Sequence, residues 1–403
     1  MKPDLLKGVK IIDFTTYAAA PATGRMLGDW GADVIKVEGL EGDPARIFGL
    51  SMGLPAQDEE NAIWEFENAN KRGIALDLKH PKGMEAMLKL LETADAIISN
   101  VRIGPLQKMG LDYETLSGRF PHLVWGHISG YGLYGEEAPR PGFDVVAFWA
   151  RGGSLIDLPS AGSELGGIPF AIGDHTASLA LASGVLGGIV KAKMTGKGEK
   201  IVVSLFGTAT WVNGLPIIST QYGDTYPKSR YLPTSPLSNT YKCKDGEWIT
   251  LTVLQYDKQW GAICSIFGME DLADDPKYNT IIVAREPENT EYICRRIEKE
   301  FLRENRTFWA EKLNAADIPF ECVCHYKDIA QDKQAIANNY VVPFTCKSGK
   351  TVMMPSSPVQ FSVNEPIDLS YAPTLGQHGS EILRELGYSD AEIESLQQMK
   401  ATN

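Results

Sequence analysis

Asp174 stands just ahead of a run of small and apolar residues, A-S-L-A-L-A-S-G-V-L-G-G-I-V at 177–190, and a Gly-Lys-Gly turn and an apolar strand follow. A carboxylate at a helix start meets amide dipoles that favour its anion, and small residues beneath it allow a rigid support. With an ordinary Asp pKa of ~3.9, such a side chain is ionised at neutral pH and able to act as a nucleophile. An Asp in this place is more often a helix N-cap, and spacing alone leaves both roles open. His175, next in the chain, has the chemistry to supply a proton or a hydrogen bond, although a histidine at a helix start is usually structural.

Other motifs carry less. Gly130-Tyr131-Gly132-Leu133-Tyr134-Gly135 matches the dinucleotide pattern, but Pro139 and Pro141 bar the helix that must follow. The first strand-to-helix turn, Thr16-Tyr17-Ala18-Ala19-Ala20-Pro21, has no glycine, which argues against NAD despite Glu38 at the end of the second strand. Thr195-Gly196-Lys197-Gly198 lacks the upstream glycine and the Ser/Thr of a P-loop. Gly49-Leu50-Ser51-Met52-Gly53 lacks the strand that leads into a nucleophile elbow. No spacing of His, Asp, Glu or Cys suggests a metal site.

The elements that must hold Asp174 alternate. Apolar strands at 9–15, 33–38, 73–78, 96–100 and 123–129 interleave with helices at 21–30 and 81–93 and one near Glu114. This predicts an α/β fold with a parallel sheet covered by helices on both faces. A Pro- and Ser-rich stretch at 224–239 reads as a crossing into a smaller α+β domain, with a strand at 247–253 and helices at 259–267 and 291–302. The expected organisation is a large domain over 1–220, a small domain over 228–322 and a segment over 323–403 that returns to the large domain. That segment carries a short helix near Gln334, strands near Val341 and Val352, and a helix at 380–386.

Composition sets the outer limits. The 403 residues are 43% hydrophobic and 22% charged, an ordinary globular balance. A formal net charge of -12 argues against a nucleic-acid binder, while a local basic pocket for an anion stays allowed. The N-terminal Met1-Lys2-Pro3-Asp4 shows no secretory leader, and the apolar run at 177–190 is shorter than a membrane span. The six cysteines, at 243, 264, 294, 322, 324 and 346, include no C-x-x-C pair and read as thiols in a reducing cytoplasm.

Several blocks together resemble the class III CoA-transferases, the family of the formyl-CoA and carnitine CoA-transferases. They are I-D-F-T-T-Y-A-A-A-P (12–21), G-A-D-V-I-K-V-E (31–38), N-K-R-G-I-A-L-D-L-K (70–79), A-D-A-I-I-S-N-V-R (94–102), K-M-G-L (108–111), G-D-H (173–175), T-G-K-G-E-K-I-V-V-S-L-F (195–206) and G-Q-H (376–378). G-D-H, F-W-A-R-G-G (148–153) and N-A-N-K (68–71) look most like the 2-hydroxy acid CoA-transferases of amino-acid-fermenting anaerobes.

The resemblance implies a Rossmann-like large domain with a smaller α+β domain, in an interlocked homodimer. It implies an enzyme that moves CoA from an acyl-CoA donor to a carboxylic acid, coenzyme A being substrate and product and no cofactor staying bound. Aliphatic and aromatic 2-hydroxy acids are both compatible. Asp174 falls on the aspartate that forms a mixed anhydride with the acyl group. Ala18, Ala19, Leu76, Lys79, Asn100, Val101, Arg102 and Lys108 fall on positions that line the CoA groove, with Lys79 and Lys108 suited to phosphates. Gly39 stands where relatives often carry an arginine. Ala18 replaces a glutamine of the formyl-CoA enzyme, which points to a substrate larger and more apolar than oxalate. Asp144 falls on a glutamate of that enzyme and so is a candidate substrate-contacting or supporting acid; its plain alternative is a surface turn after Pro141-Gly142. Phe143 replaces the histidine of the related acyl-CoA racemases. A racemase or epimerase that uses His175, and a non-catalytic acyl-CoA-binding protein, remain the alternatives.

Overall fold

The computed structural model describes residues 4–362 and 368–403. Met1–Pro3, where the reading against a leader begins, lie outside the described residues.

Six short apolar strands make one fully parallel sheet: β1 (Lys10–Phe14), β2 (Asp33–Glu38), β3 (Arg72–Ala75), β4 (Ala96–Ser99), β5 (Val124–Ser129) and β6 (Lys200–Ser204). Their spatial order is β3-β2-β1-β4-β5-β6. The chain winds outward from β1 in one direction and then starts again at β4 in the other. The carboxyl ends of β1 and β4 therefore diverge, and their loops leave a crevice there. In the register, Phe14 lies opposite Ser99, so Thr15–Ala20 and Asn100–Ile103 leave the sheet side by side.

Strand residues alternate between two cores, as a sheet buried on both faces requires. Ile11, Val34, Ile98 and Val124 face helices α1 (Pro21–Asp29) and, from later in the chain, Ile172–Thr195. Ile12, Ile35, Ile74, Ile97 and Trp125 face the other way. That second face receives Met87, Leu90 and Leu91 from Pro81–Glu92, and it also receives Ile382, Leu383, Ile393 and Leu396 from two helices at the end of the chain, Gly379–Glu385 and Asp390–Gln398. Ser389 and Glu392 form a reciprocal capping box at the last of these.

By internal contacts the chain divides into two compact units. The first comprises Met1–Ser154, Ile168–Ile217 and Ala330–Asn403; the second comprises Leu155–Gly167 and Ile218–Ile329. Residues 155–167 thus differ from the sequence reading, which left them in the large domain, and 323–329 join the second unit. Neither segment has an apolar period to declare its allegiance. The second unit is built on a three-stranded antiparallel sheet, Thr240–Lys242, Trp248–Leu251 and Phe320–Cys322. Trp260, Phe267, Phe301 and Trp309 fill its core.

Helix Ile172–Thr195, 24 residues long, is apolar and long enough to cross a membrane by length and composition, so it exceeds the span read from the sequence. It packs on β5, β6 and α1. Gly126 and Gly188 make that approach possible, since a Cβ on either would lie 2.8 Å from Val185 Cγ2 or 2.7 Å from Val124 Cγ1.

Candidate active site

The crevice between the carboxyl ends of β1 and β4 is a cavity of about 780 Å³. Thr16, Tyr17 and Ala19 come from the loop after β1, Asn100 to Pro105 from the loop after β4, and His127 to Gly130 from the end of β5. Asp174 lines it from the start of Ile172–Thr195. A volume of this size suits a ligand with an extended arm.

The loop after β1 is fixed from below by buried charge. Lys71 lies 2.7 Å from Asp13, and Lys36 lies 3.0 Å from Asp43 and donates to the Thr15 carbonyl at 2.8 Å. Burial works against the Asp13 anion, but Lys71 and Lys36 hold its pKa below the ordinary value. From above, Asn100 clamps Thr16 twice: Thr16 N–H donates to Asn100 Oδ1 at 2.8 Å, and Asn100 Nδ2 donates to the Thr16 carbonyl at 2.7 Å. Tyr17 is then held at φ 61, a left-handed conformation costly for a non-glycine residue, with its N–H on Asp43 Oδ1 at 3.2 Å. Its ring meets Phe143 edge-on at 6.1 Å, and together they make an aromatic wall of the crevice.

Asp174 is not an N-cap. The helix begins at Ile172, and the capping position belongs to Ala171 at φ 66, with no side-chain cap. Asp174 is the third helical residue, and it lines the crevice. The ionisation expected from a helix start also needs correction. Burial first, and then the charge of Asp144, raise the Asp174 pKa to about 7, while His175 opposes the rise. Desolvation and a neighbouring acid outweigh the helix-end amides here.

Asp144 is no surface turn acid. It is 5% exposed and begins a π-helical turn, Asp144–Ala150. Its Oδ1 accepts the Gly173 N–H at 2.9 Å, and burial raises its pKa. A Cβ on Gly173 would lie 2.3 Å from that same oxygen and 2.3 Å from Phe148 Cγ, so the residue before Asp174 has no room for a side chain. π-Helical turns cluster at functional sites, and this one carries the acid that grips the start of the Asp174 helix. Ser178 ties the helix to the loop after β1, donating to the Ala19 carbonyl and, at 2.9 Å, to the Asp174 carbonyl.

His175 departs from the crevice and lines a separate cavity of about 160 Å³. There its Nε2 meets Glu67 Oε1 at 2.8 Å. Glu67 is the penultimate residue of helix Ala62–Asn68, an element absent from the sequence reading; its local signal is Asn61, whose side chain caps Trp64 N–H. Nothing local marks Glu67 as a partner of a residue 108 positions away.

Of the positions expected around CoA, Ala19, Asn100, Val101 and Arg102 line the crevice. Ala18, Leu76, Lys79 and Lys108 do not line it. Ala18 is half-buried beside Ala19, and the Leu76 side chain is shut inside the second core at 1% exposure. Lys79, in the turn after β3, and Lys108, at the end of Ile103–Met109, are exposed. Among the described residues neither has an ion-pair partner, and Arg102 is exposed without one too. Glu38, a ribose ligand in dinucleotide folds, is instead held by Arg46 through two nitrogens at 2.9 and 2.7 Å.

The sequence compares directly with known proteins. The family model for CoA-transferase family III matches residues 6–379. This chain belongs to CoA-transferase family III. It is 40% identical over 397 residues to the (R)-2-hydroxy-4-methylpentanoate CoA-transferase of Clostridioides difficile, covering 98% of this chain and 99% of that one. It is 36% identical over 400 residues to the cinnamoyl-CoA:phenyllactate CoA-transferase of Clostridium sporogenes, covering 98% and 97%. A CAIB/BAIF family protein from Brucella suis has a similar structure, with a TM-score of 0.78 and 27% identity over 94% of this chain and 99% of that one. The chain is an enzyme of this family, a CoA-transferase that uses an acyl-CoA and a carboxylate.

Proposed function

We propose that Asp174 is the nucleophile of this CoA-transferase and that a 2-hydroxy acid is its acceptor. The observation that carries the first part is an aspartate that lines the crevice and is not the cap of its helix, on a helix start gripped by Asp144 and Ser178. The names of the two relatives above support the second part, one acid being branched aliphatic and the other aromatic. The Tyr17–Phe143 wall offers an apolar surface to either.

An Asp174 oxygen attacks the thioester carbonyl carbon, the C–S bond breaks, and the CoA thiolate leaves an acyl-aspartyl anhydride. The thiolate attacks the aspartyl carbonyl, releasing the donor acid and leaving CoA on Asp174 as a thioester. The acceptor carboxylate then displaces the thiolate to form a second anhydride. The thiolate takes the acceptor carbonyl and frees the Asp174 carboxylate. Each step exchanges one activated acyl bond for another, so no ATP or metal is needed. Asp144, its Oδ1 bound to Gly173, acts as a supporting acid that orients the helix start. Arg102 and the exposed Lys79 and Lys108 serve the phosphates of CoA, Ala18 and Ala19 line its path, and Leu76 contributes through its backbone.

The two compact units act as the large and small domains of this architecture. The chain works as an interlocked homodimer in the cytoplasm, in amino acid fermentation. Exposed apolar side chains support self-association: Met194, Trp211 and Leu215 are 80%, 86% and 82% exposed. All six cysteines are free thiols, which fits a reducing compartment. Phe143 on the crevice wall, and His175 outside the crevice, speak against two-base racemisation.

The test is chemical capture. Enzyme mixed with an acyl-CoA and hydroxylamine should carry a hydroxamate on the peptide holding Asp174, read by mass. A hydroxamate on another carboxylate, or none, would remove Asp174 from this role.

A further inference from the structure

Asp174 and His175 are neighbours in the chain, but only Asp174 opens on the crevice. His175 lies among Arg25, Asp29, Phe66 and Ser178, its ring edge-on to Phe66 at 5.2 Å. Its one side-chain hydrogen bond among the described residues goes to Glu67, whose side chain is 6% exposed. The other Glu67 oxygen is buried and has no hydrogen-bond partner among the described residues. A carboxylate so placed is costly unless a positive charge offsets it.

Among the described residues, the other cations around this helix start are engaged first with other partners. Helix α1 brings Arg25, which is committed to Asp29 at 2.7 Å. Lys71, just before β3, pairs with Asp13 at 2.7 Å and donates to Asn68 Oδ1 at 2.9 Å, and Glu67 is the weakest of the charges that act on it. Ala62–Asn68 brings the acids Glu65 and Glu67, and the π-helical turn brings Asp144. From the sheet, β5 brings the neutral His127 and β6 brings Lys200, which pairs with Glu114 at 2.6 Å. Leu205–Val212 brings no ionisable side chain.

We propose that His175, held by Glu67, is a positioning residue whose positive charge keeps the Asp174 carboxylate ionised for attack. The proposal rests on Asp174 being the nucleophile. It gives His175 a task that needs no contact with substrate, and it accounts for a buried acid 108 positions away in sequence. The electrostatics agree. Burial works against the His175 cation, yet the Glu67 hydrogen bond and the charges of Glu67, Asp174 and Asp144 carry its pKa above the ordinary value. Asp144 and Glu67 push Asp174 up, and His175 pulls it down.

His175→Gln tests this, since an amide keeps a donor for Glu67 and removes the charge. The acid limb of kcat/KM should move up by about one pH unit, a ~tenfold loss below the limb. The rate should return to the wild-type plateau near pH 9. In the resting enzyme, the ¹³C-carboxyl titration of Asp174 should move the same way. A merely structural histidine would lower the plateau and leave the limb and the Asp174 midpoint in place, which overturns the proposal. Should His175→Gln fail to fold by circular dichroism, Glu67→Gln serves instead. The ¹⁵N titration midpoint of His175 should then fall, and an unchanged midpoint overturns the proposal. Hydroxylamine capture in the unsubstituted enzyme reports the nucleophile separately. Capture at Asp174 with an unmoved limb leaves the nucleophile standing and removes only the role of His175.

Discussion

Gly173 and Asp144 fit together so closely that each fixes the other: the Gly173 N–H lies 2.9 Å from Asp144 Oδ1, and a Cβ on Gly173 would lie 2.3 Å from that oxygen. The glycine of G-D-H is therefore a matter of space, because its φ is unexceptional. Gly173→Ala must push Asp144 or Phe148 aside, at about 1–3 kcal/mol for an overpacked site. The helix start carrying Asp174 shifts with them. A displacement near 1 Å costs on the order of 10²-fold in rate. The expected outcome is a folded protein that binds CoA and has kcat down by about that factor, measured by steady-state kinetics beside chemical denaturation. Full activity in Gly173→Ala would show that the Asp144 grip does not position the nucleophile.

Asp174→Asn keeps shape and hydrogen-bonding capacity but cannot form an anhydride. Transfer should fall by at least ~10³-fold with CoA binding retained, because only positioning remains. In the unsubstituted enzyme, kcat/KM should rise with pH through an apparent pKa close to 7, since the Asp174 carboxyl is held there by burial and Asp144. The sign is that of a reacting base: below pH 7 the protonated form predominates and the rate falls tenfold per unit. A profile flat from pH 5 to 8 would contradict this placement.

Much of this was legible in residue patterns. The strands at 33–38 and 96–100 and the helix at 81–93 agree with Asp33–Glu38, Ala96–Ser99 and Pro81–Glu92 to within a residue, because apolar alternation and proline starts are local signals. Helix Asp390–Gln398 has a local signal too, since Ser389 and Glu392 spell a capping box. The π-helical turn at Asp144 has no sequence signal of its own. The pKa of Asp174 is not legible in sequence for a different reason: a sequence shows the helix-end amides but neither the desolvation nor the approach of an acid 30 residues earlier in the chain.

Lys79 and Lys108 are exposed, and among the described residues they have no ion-pair partner, so their charges are available to an incoming polyanion. Replacing each with alanine should weaken CoA binding by a few-fold at low salt, with a loss that shrinks as ionic strength rises and the Debye length falls to about 8 Å. Arg102, inside the crevice, should show the larger and less salt-sensitive loss. Titration calorimetry at two salt concentrations decides the matter. Unchanged affinity in both lysine variants at low salt would remove them from the phosphate path.

His127 offers a test of the sheet floor that needs no substrate. It is 1% exposed, stacked on Trp125 at 5.0 Å, and among the described residues its Nδ1 has no hydrogen-bond partner. Burial, with some help from Lys200, lowers its pKa to about 4. An unfolded histidine takes its proton near pH 6.5, whereas the folded one resists until about pH 4. The unfolded chain therefore binds more protons in this window, so the contribution is fully present above pH 6.5 and is lost as pH falls toward 4. Between pH 7.5 and 5.0 the loss amounts to about 2 kcal/mol. His127→Phe keeps an aromatic ring against Trp125 and removes the titration. Urea denaturation at the two pH values should show the wild type losing about 2 kcal/mol more than the variant. Equal losses would mean that the imidazole is protonated in the folded enzyme, with water or a neighbouring acid reaching Nδ1 beneath the crevice.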